Sequence, residues 1–392
     1  MAVNSGLAHL SDALFTTAIA TYTLAMATYT AEYAFGRRGR VAATSRVETR
    51  VLVGAGGAAV AESSAGRAVA AESSAGRAAA AEFPADRAEF TAGRVEVPAG
   101  RAEFPAGVAL VAEIPAGDGF GREASDRSAG GRRRVAGERF GRIAVTLTLL
   151  GAAIHLGSIA LRGIAADRVP WGNMYEFSSV VGVIAVLAFL GALWRAPQIR
   201  YLGGFVLLPV ILLMFLAGTV LYAKDAPLVP ALQSYWLAIH VTAAASSEGI
   251  LVTSAVFTLL FMIRQRYDVV AAQAGQLRFP ATLGVRLPAA ETLDKVAYRT
   301  VAFAFPIYTF GVIAGAIWAE AAWGRYWGWD PKETWAFIAW VVYACYLHAR
   351  ATAGWKGRSA AWINLLGFSS MTFNFFIVNI VISGLHSYAG LN

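Results

Sequence analysis

The residues of this sequence that could do chemistry are five histidines and one tryptophan-rich segment. The segment WGRYWGWDPKETW covers residues 323–335 and contains four tryptophans. Its aromatic faces stand beside cations, a combination that favours a large, flat, anionic ligand. We predict that the segment contacts such a ligand through Trp323, Trp327, Trp329, Trp335, Arg325 and Lys332. The alternative is an aromatic belt at a membrane–water interface, which suits Trp335 best because it lies on a predicted helix.

Three residues of the same segment are also explained by helix capping. Asp330, Pro331 and Glu333 have the residue types and spacing of the N-cap, N1 and N3 positions of a helix that begins after the loop. They need no further function, although Asp330 also belongs to our set of predicted ligand contacts.

Two of the histidines point to the identity of the ligand. His240, in SYWLAIHVT, and His386, in ISGLHSYAG, each lie near the end of a predicted membrane span, on the side of the tryptophan-rich segment. Ionisable side chains at membrane depth are costly and tend to be functional. Two imidazoles at equal depth beside an aromatic platform meet the needs of bis-histidine haem ligation. We therefore predict non-covalent haem b, with His240 and His386 as iron ligands; the alternative is two unrelated interfacial side chains.

The remaining histidines do not complete a second pair. His348 follows Trp335 by 13 residues and so lies about 20 Å away along a helix, at the opposite end of its span. His348 is the third predicted iron ligand. The iron that it binds would have either this single axial ligand or a second one from another subunit. For His155 we predict a helix-packing hydrogen bond.

The elements that position these residues are membrane helices. Of 392 residues, 57% are hydrophobic, and the mean hydropathy is +0.52, which indicates an all-α polytopic membrane protein. The single cysteine, Cys345, excludes a disulfide, a C-x-x-C redox pair and a C-x-x-C-H haem-attachment site within the chain. About 20 apolar residues cross a bilayer. On that basis we predict about eight spans, at residues 8–35, 142–162, 175–195, 202–222, 235–263, 296–319, 333–349 and 360–384.

Charge sets the predicted orientation. The net charge of +8 comes largely from basic loops, such as GRRGR after the first span and RAPQIR after the third, and this indicates a cytoplasmic side rather than nucleic-acid binding. The tryptophan-rich segment and both termini then face outward. Three regions result: a first helix at 1–36, a low-complexity cytoplasmic insert at 37–141, and a seven-helix haem-binding core at 142–392. The insert repeats AESSAGRA and is expected to be a disordered linker, with a partner-docking segment as the alternative.

The segment VPWGNMYEFSS, residues 169–179, adds Trp171 to the outward-facing side. Trp171 is a further predicted ligand contact. This segment either covers the ligand or only leads into the third helix, and the sequence leaves both possibilities open.

Together these motifs resemble a known family. WGRYWGWDPKETW resembles the tryptophan-rich WWD signature of haem-handling proteins in cytochrome c maturation, and the CcsA (ResC) branch of system II cytochrome c synthases is matched by VPWGNMYEFSS, SYWLAIHV, YLHAR and GLHSYAG. The likeness covers residues 1–36 and 140–392. It implies haem passage to an external WWD platform between His240 and His386, and thioether attachment there to an apocytochrome c with a C-x-x-C-H motif. It also implies a CcsB (ResB) subunit that supplies the companion of His348, a thioredoxin-like reductant acting indirectly, and a bacterial cytoplasmic membrane.

Three rival functions are weighed against this haem-lyase subunit. A CcmC-type chaperone would pass haem to a separate lyase and is the main alternative. An electron-transfer b-type cytochrome would need two histidine pairs, and the inner pair is incomplete. A transporter of another solute would have no use for the outer histidines.

Overall fold

The computed structural model describes residues 4–35, 119–224, 232–352 and 354–386 of the chain. In this described part the regular secondary structure is entirely helical, which confirms the predicted all-α fold. The greater part of the predicted insert, through residue 118, lies outside the described residues.

Eight α-helices follow one another along the described chain: α1 (Ser5–Phe35), α2 (Gly119–Ala166), α3 (Met174–Arg195), α4 (Gly203–Thr219), α5 (Tyr235–Ala272), α6 (Ala290–Trp323), α7 (Pro331–Ala351) and α8 (Arg358–Phe373). A 3-10 turn, Pro197–Leu202, leads into α4, and a π-helical turn, Asn374–Val378, continues α8. Helix α2 begins well before the predicted start at residue 142, and its apolar part is Glu138–Ala166.

Six of these helices are long and apolar enough to cross a membrane, by length and composition. Helices α1 and α7 have 31 and 21 residues but fall short in hydropathy, so the predicted count of eight spans stays a prediction. The reason in α1 is its content of threonine. The hydroxyls of Thr17, Thr21 and Thr23 donate to carbonyl oxygens four residues earlier, at 2.7–2.8 Å, so the helix satisfies its own polar groups.

Helix α5 is at the centre of the bundle and packs against α3, α4, α6 and α8. Gly249 allows the close approach of α3, because a Cβ there would stand 2.6 Å from the Val181 carbonyl oxygen. Buried hydroxyls join α5 to its neighbours, with Thr253 donating to the Ala185 carbonyl at 2.9 Å and Ser254 to the Ala297 carbonyl at 3.0 Å. Small residues and interhelical hydrogen bonds of this kind hold helices together in lipid.

The two ends of the bundle differ in chemistry. At one end, Arg200 pairs with Glu32, and Arg350 donates to Asp294 at 2.7 Å, so the basic loops meet there. The opposite end carries the start of α5, the loop between α6 and α7, and the residues that follow α8. His240, His386 and the tryptophan-rich segment all belong to this second end.

Candidate functional site

A cavity opens at the end of the bundle that carries the tryptophan-rich segment. Its walls come from α3, α5, α6, α7 and the turn after α8. Two of the three predicted iron ligands, His240 and His386, line it, together with Trp171, Trp327 and Lys332. The structure thus brings residues from distant parts of the sequence onto one concave surface.

His240 is held on the wall of this cavity by α6. Its Nδ1 lies 2.7 Å from the Gly311 carbonyl oxygen, and that contact requires Nδ1 to carry the proton and to donate. The accepting nitrogen of the ring is then Nε2. Gly315 makes room for the ring, since a Cβ at this position would lie 2.7 Å from the imidazole. Metal-ligating histidines commonly donate their other ring N–H to an oxygen acceptor in this way.

His386 is held in the same manner by a carboxylate. Its Nδ1 lies 2.8 Å from Oδ1 of Asp330, whose other oxygen accepts from the Leu385 N–H at 2.7 Å. Burial alone would raise the pKa of Asp330, but hydrogen bonds from His386, Leu385 and the Lys332 N–H outweigh it and lower the pKa to about 2. Burial lowers the pKa of His386, which favours the neutral imidazole that binds metals.

Asp330 holds His386 while it also caps helix α7. Its side chain accepts from the Lys332 N–H, and Glu333 Oε2 accepts from the Asp330 N–H at 3.2 Å, which confirms the predicted capping box. One carboxylate therefore fixes both the start of α7 and the chain after α8.

Trp318 of α6 contacts both histidine rings and was not predicted. Its indole is almost parallel to the His240 ring, at 9° and 5.9 Å between centroids, and contacts the His386 ring edge-on at 5.6 Å. Only 2% of Trp318 is exposed. A usable signal was present in the sequence, namely a further tryptophan five residues before Trp323, near the same end of a span.

The predicted tryptophans occupy different positions relative to the cavity. Trp171 and Trp327 line it, while Trp323 packs against the His386 ring at 4.9 Å. Trp329 is 67% exposed and Trp335 packs on Phe373 at 4.2 Å, so neither belongs to the lining.

The two predicted cationic contacts, Lys332 and Arg325, lie in different places relative to the cavity. Lys332 lines the cavity, and its Nζ donates to Asn379 Oδ1 at 2.6 Å. Arg325 is exposed and turns back on its own loop, where its guanidinium reaches the Gly328 carbonyl oxygen at 3.4 Å.

Unsatisfied polar atoms around the cavity suit a bound ligand. Trp171 Nε1, Glu333 Oε1 and Asn374 Oδ1 are buried and have no hydrogen-bond partner among the described residues, and all three residues line the cavity. Buried polar atoms are normally hydrogen-bonded, so these three atoms are suited to hydrogen bonds with a bound ligand. The described residues form no cluster of three or more His, Cys, Asp or Glu for a bare metal ion. Two imidazoles within one aromatic cavity therefore fit an iron porphyrin better than a free cation.

An ion-pair network fixes the segment that carries Trp171. Glu176 accepts from Arg162 at 3.2 Å, from Arg168 at 2.8 Å and from the Gly172 N–H at 2.7 Å. Asn173 caps α3 by accepting from the Glu176 N–H. The segment thus both enters α3 and covers one side of the cavity, the two roles that the sequence left open.

The other two histidines lie away from the cavity. His155 is fully buried and its Nε2 is 2.9 Å from the Ser179 hydroxyl oxygen, which is a helix-packing contact of the predicted kind. His348 is exposed near the end of α7, two residues before Arg350. It lies at the basic end of the bundle.

Comparisons with known proteins agree on one family. Residues 171–386 match the family described as cytochrome C assembly protein. The chain is similar to the cytochrome c biogenesis protein CcsA of Guillardia theta, with 37% identity over 258 residues, covering 63% of this chain and 84% of that protein. The CcsA proteins of Gloeobacter violaceus and Synechocystis are 36% and 34% identical, over 60% and 59% of this chain, and 83% of each relative is covered.

Proposed function

Because the chain belongs to the cytochrome C assembly protein family, in its CcsA branch, we propose that it carries haem across the membrane and presents it in the outer cavity for attachment to apocytochrome c. A role in cytochrome c biogenesis belongs to the family as a whole. The transport of haem and its presentation in the cavity are our proposal, and haem is the transported substrate in both steps.

The observation that carries the proposal is the matched setting of two imidazoles. His240 and His386 line one cavity, contact the same indole, and each engages its Nδ1 in a hydrogen bond with an oxygen acceptor. Nε2 is then the atom through which each ring would ligate the iron. Acceptors behind ligating histidines orient the ring and raise its basicity.

The chemistry requires positioning more than activation by side chains. Attachment adds a cysteine S–H across each haem vinyl group, forming a C–S bond and placing the thiol proton on the vinyl carbon, with no net transfer of electrons. The reactive groups belong to the haem and the apocytochrome, so the contribution of this chain is orientation. His240 and His386 hold the iron with the vinyl edge toward the mouth. Trp171, Trp323 and Trp327 restrict the porphyrin plane, and Lys332 faces a propionate.

The same proposal assigns His348 to an inner haem site shared with a partner. Its exposed position on α7 supports a second ligand from another chain, a CcsB-like (ResB-like) membrane subunit. In the cytoplasmic membrane of a bacterium, the basic end would face the cytoplasm and the cavity the outside. Haem would then enter near His348 and leave at the cavity.

The experiment is a visible spectrum of the purified chain, with and without the CcsB-like subunit, for His240→Ala and His386→Ala. Each variant should lose haem retention and covalent cytochrome assembly, and added imidazole should restore part of the spectrum. His9→Ala is the matched control, because His9 is exposed on α1 and does not line the cavity. Wild-type spectra and assembly in both variants would overturn the ligand assignment.

Two further measurements separate the parts of the proposal. His348→Ala should reduce the amount of haem that reaches the cavity from the inner side. Haem added from the outer side should still bind there. Covalent product should require the CcsB-like subunit, and product formed by a separate lyase after haem transfer would favour the chaperone function instead.

A further inference from the structure

Glu248 is a carboxyl side chain within the membrane-spanning helix α5. It follows His240 by eight residues, which is about 12 Å along a helix, and both residues line the cavity. Ala244, between them, lines it as well. This stretch of α5 therefore forms the cavity wall from His240 inward, with Glu248 as its innermost polar group.

The carboxyl of Glu248 has no partner of its own. It makes no hydrogen bond or ion pair with the residues that the structure describes. It also borders a second cavity between α3, α4 and the turn after α8, where the neighbours include Val181, Leu213 and Phe375. An unpartnered carboxylate at membrane depth is costly, and a residue of this kind is expected to serve function.

Lys332 is the cation on the same cavity. Its ammonium group donates to Asn379, and its positive charge acts on Glu248 across the cavity without an ion pair between them. The cavity thus presents an ammonium and a carboxyl that are not joined to each other. An ammonium and a carboxyl placed in this way suit a ligand that carries carboxylates of its own.

We propose that Glu248 takes up a proton when a porphyrin dicarboxylate enters the cavity, and donates a hydrogen bond to one of its carboxylates. The inference rests on the proposed function, in which the vinyl edge faces the mouth and the propionates point inward. Lys332 offsets one propionate charge, whereas an ionised Glu248 would repel both. Protonation removes that repulsion and turns the side chain into a donor. The proton comes from solvent on binding and returns to solvent on release.

Several other titratable groups face Glu248 or its cavity. They are Lys332, Glu333 and Tyr343 of α7, Tyr308 of α6, Tyr326 of the loop between α6 and α7, His240 of α5, and His386. Among the described residues, the lining contributed by α3, α4 and α8 contains no titratable side chain. All of these groups remain in Glu248→Gln, so the difference between this variant and the wild type reports on Glu248.

The test measures binding of metal-free protoporphyrin IX to the purified full-length chain by quenching of tryptophan fluorescence, from neutral to alkaline pH. Wild-type affinity should fall by up to about tenfold per pH unit once Glu248 titrates. Glu248→Gln, which keeps the shape and a donor but cannot ionise, should keep only the shallower pH dependence that Lys332 and the other lining groups contribute, and should bind more tightly than wild type at alkaline pH. Glu320→Gln is the matched control, because Glu320 is exposed on α6 and outside the cavity lining; it should keep the wild-type slope.

Two further arms make the result specific. The dimethyl ester of protoporphyrin lacks free carboxylates and should bind with the same weak pH dependence in both proteins. At alkaline pH, where Glu248 of the free protein is ionised, the infrared difference spectrum of porphyrin-bound minus free protein should contain a protonated-carboxyl band that is absent from Glu248→Gln. Equal slopes in wild type and Glu248→Gln, or a wild-type slope that persists with the ester, would overturn the proposal. A wrong iron-ligand assignment would instead appear in the haem spectrum, because metal-free porphyrin has no iron to ligate.

Discussion

The Nδ1 atom of His386 lies 2.8 Å from Oδ1 of Asp330, the same side chain that caps helix α7. The two residues are 56 positions apart in sequence. A short-range capping motif is therefore also the anchor of a long-range contact, and substitutions at Asp330 can separate the two roles.

Asp330→Asn should keep the helix cap but weaken the hold on His386. Asparagine is as good an N-cap as aspartate, whereas loss of a carboxylate behind a metal-binding histidine typically lowers affinity about 10- to 100-fold. Haem titration followed by absorbance should show that loss with little change in thermal stability. Asp330→Ala removes the cap too and should cost about 1 kcal/mol of stability in addition. Wild-type haem affinity in Asp330→Asn would contradict the role given to this contact.

Gly315→Ala should displace the His240 ring. The added Cβ would stand 2.7 Å from the imidazole, closer than carbon atoms approach in folded proteins. We expect reduced haem retention and an altered axial-ligand spectrum, although alanine is by itself the better helix former. Gly191→Ala on α3 is the control, because nothing lies within 4 Å of a Cβ there and the spectrum should be unchanged. An unaltered spectrum in Gly315→Ala would mean that the ring moves without consequence for its ligand.

Trp318→Phe should disturb both histidines at once, since the indole contacts both rings. The smaller ring leaves space beside each imidazole, so haem affinity should fall even where the protein still folds. The measurement is haem titration together with circular dichroism to confirm helicity. Trp194→Phe, at a position 77% exposed on α3, should behave as wild type. If Trp318→Phe binds haem normally, the indole serves packing alone.

Glu176→Gln should destabilise the outer end of the bundle. The Glu176 carboxylate is fully buried and pairs with both Arg162 and Arg168, so neutralising it weakens two buried ion pairs, at a cost of up to about 3–5 kcal/mol. Thermal unfolding in detergent should detect the change. Glu291→Gln breaks an exposed pair with Lys295 and should leave the melting temperature unaltered. Equal melting temperatures for the two variants would show that the network adds nothing to stability.

Features set by local sequence were predictable. The cap formed by Asp330, Pro331 and Glu333 depends on residues within one turn, and the structure has it. Alternation of spans placed His240 and His386 at one end of the bundle, because each span reverses the direction of the chain.

Features set by packing and loop geometry were not predictable in the same way. The direction of each indole depends on torsions of a glycine-containing loop, where Trp329 itself has a left-handed φ of 59°. Sequence spacing therefore could not tell Trp327, which lines the cavity, from its exposed neighbour. Trp318 and Glu248 lie within spans, and only the packing of the helices shows that Trp318 contacts both histidine rings and that Glu248 lines the cavity. For Glu248 the available signal was a lone acid within an apolar run.

The π-helical turn at Asn374–Val378 fixes the length of the chain between α8 and His386. Removing one residue just after this turn, at the helical positions 379–380, would rotate everything downstream by about 100° and draw it back by about 1.5 Å, the step of one residue in an α-helix. His386 would then swing away from Asp330, although every side chain named above would still be encoded. We therefore expect the segment 374–386 to tolerate substitutions more readily than the deletion of a single residue.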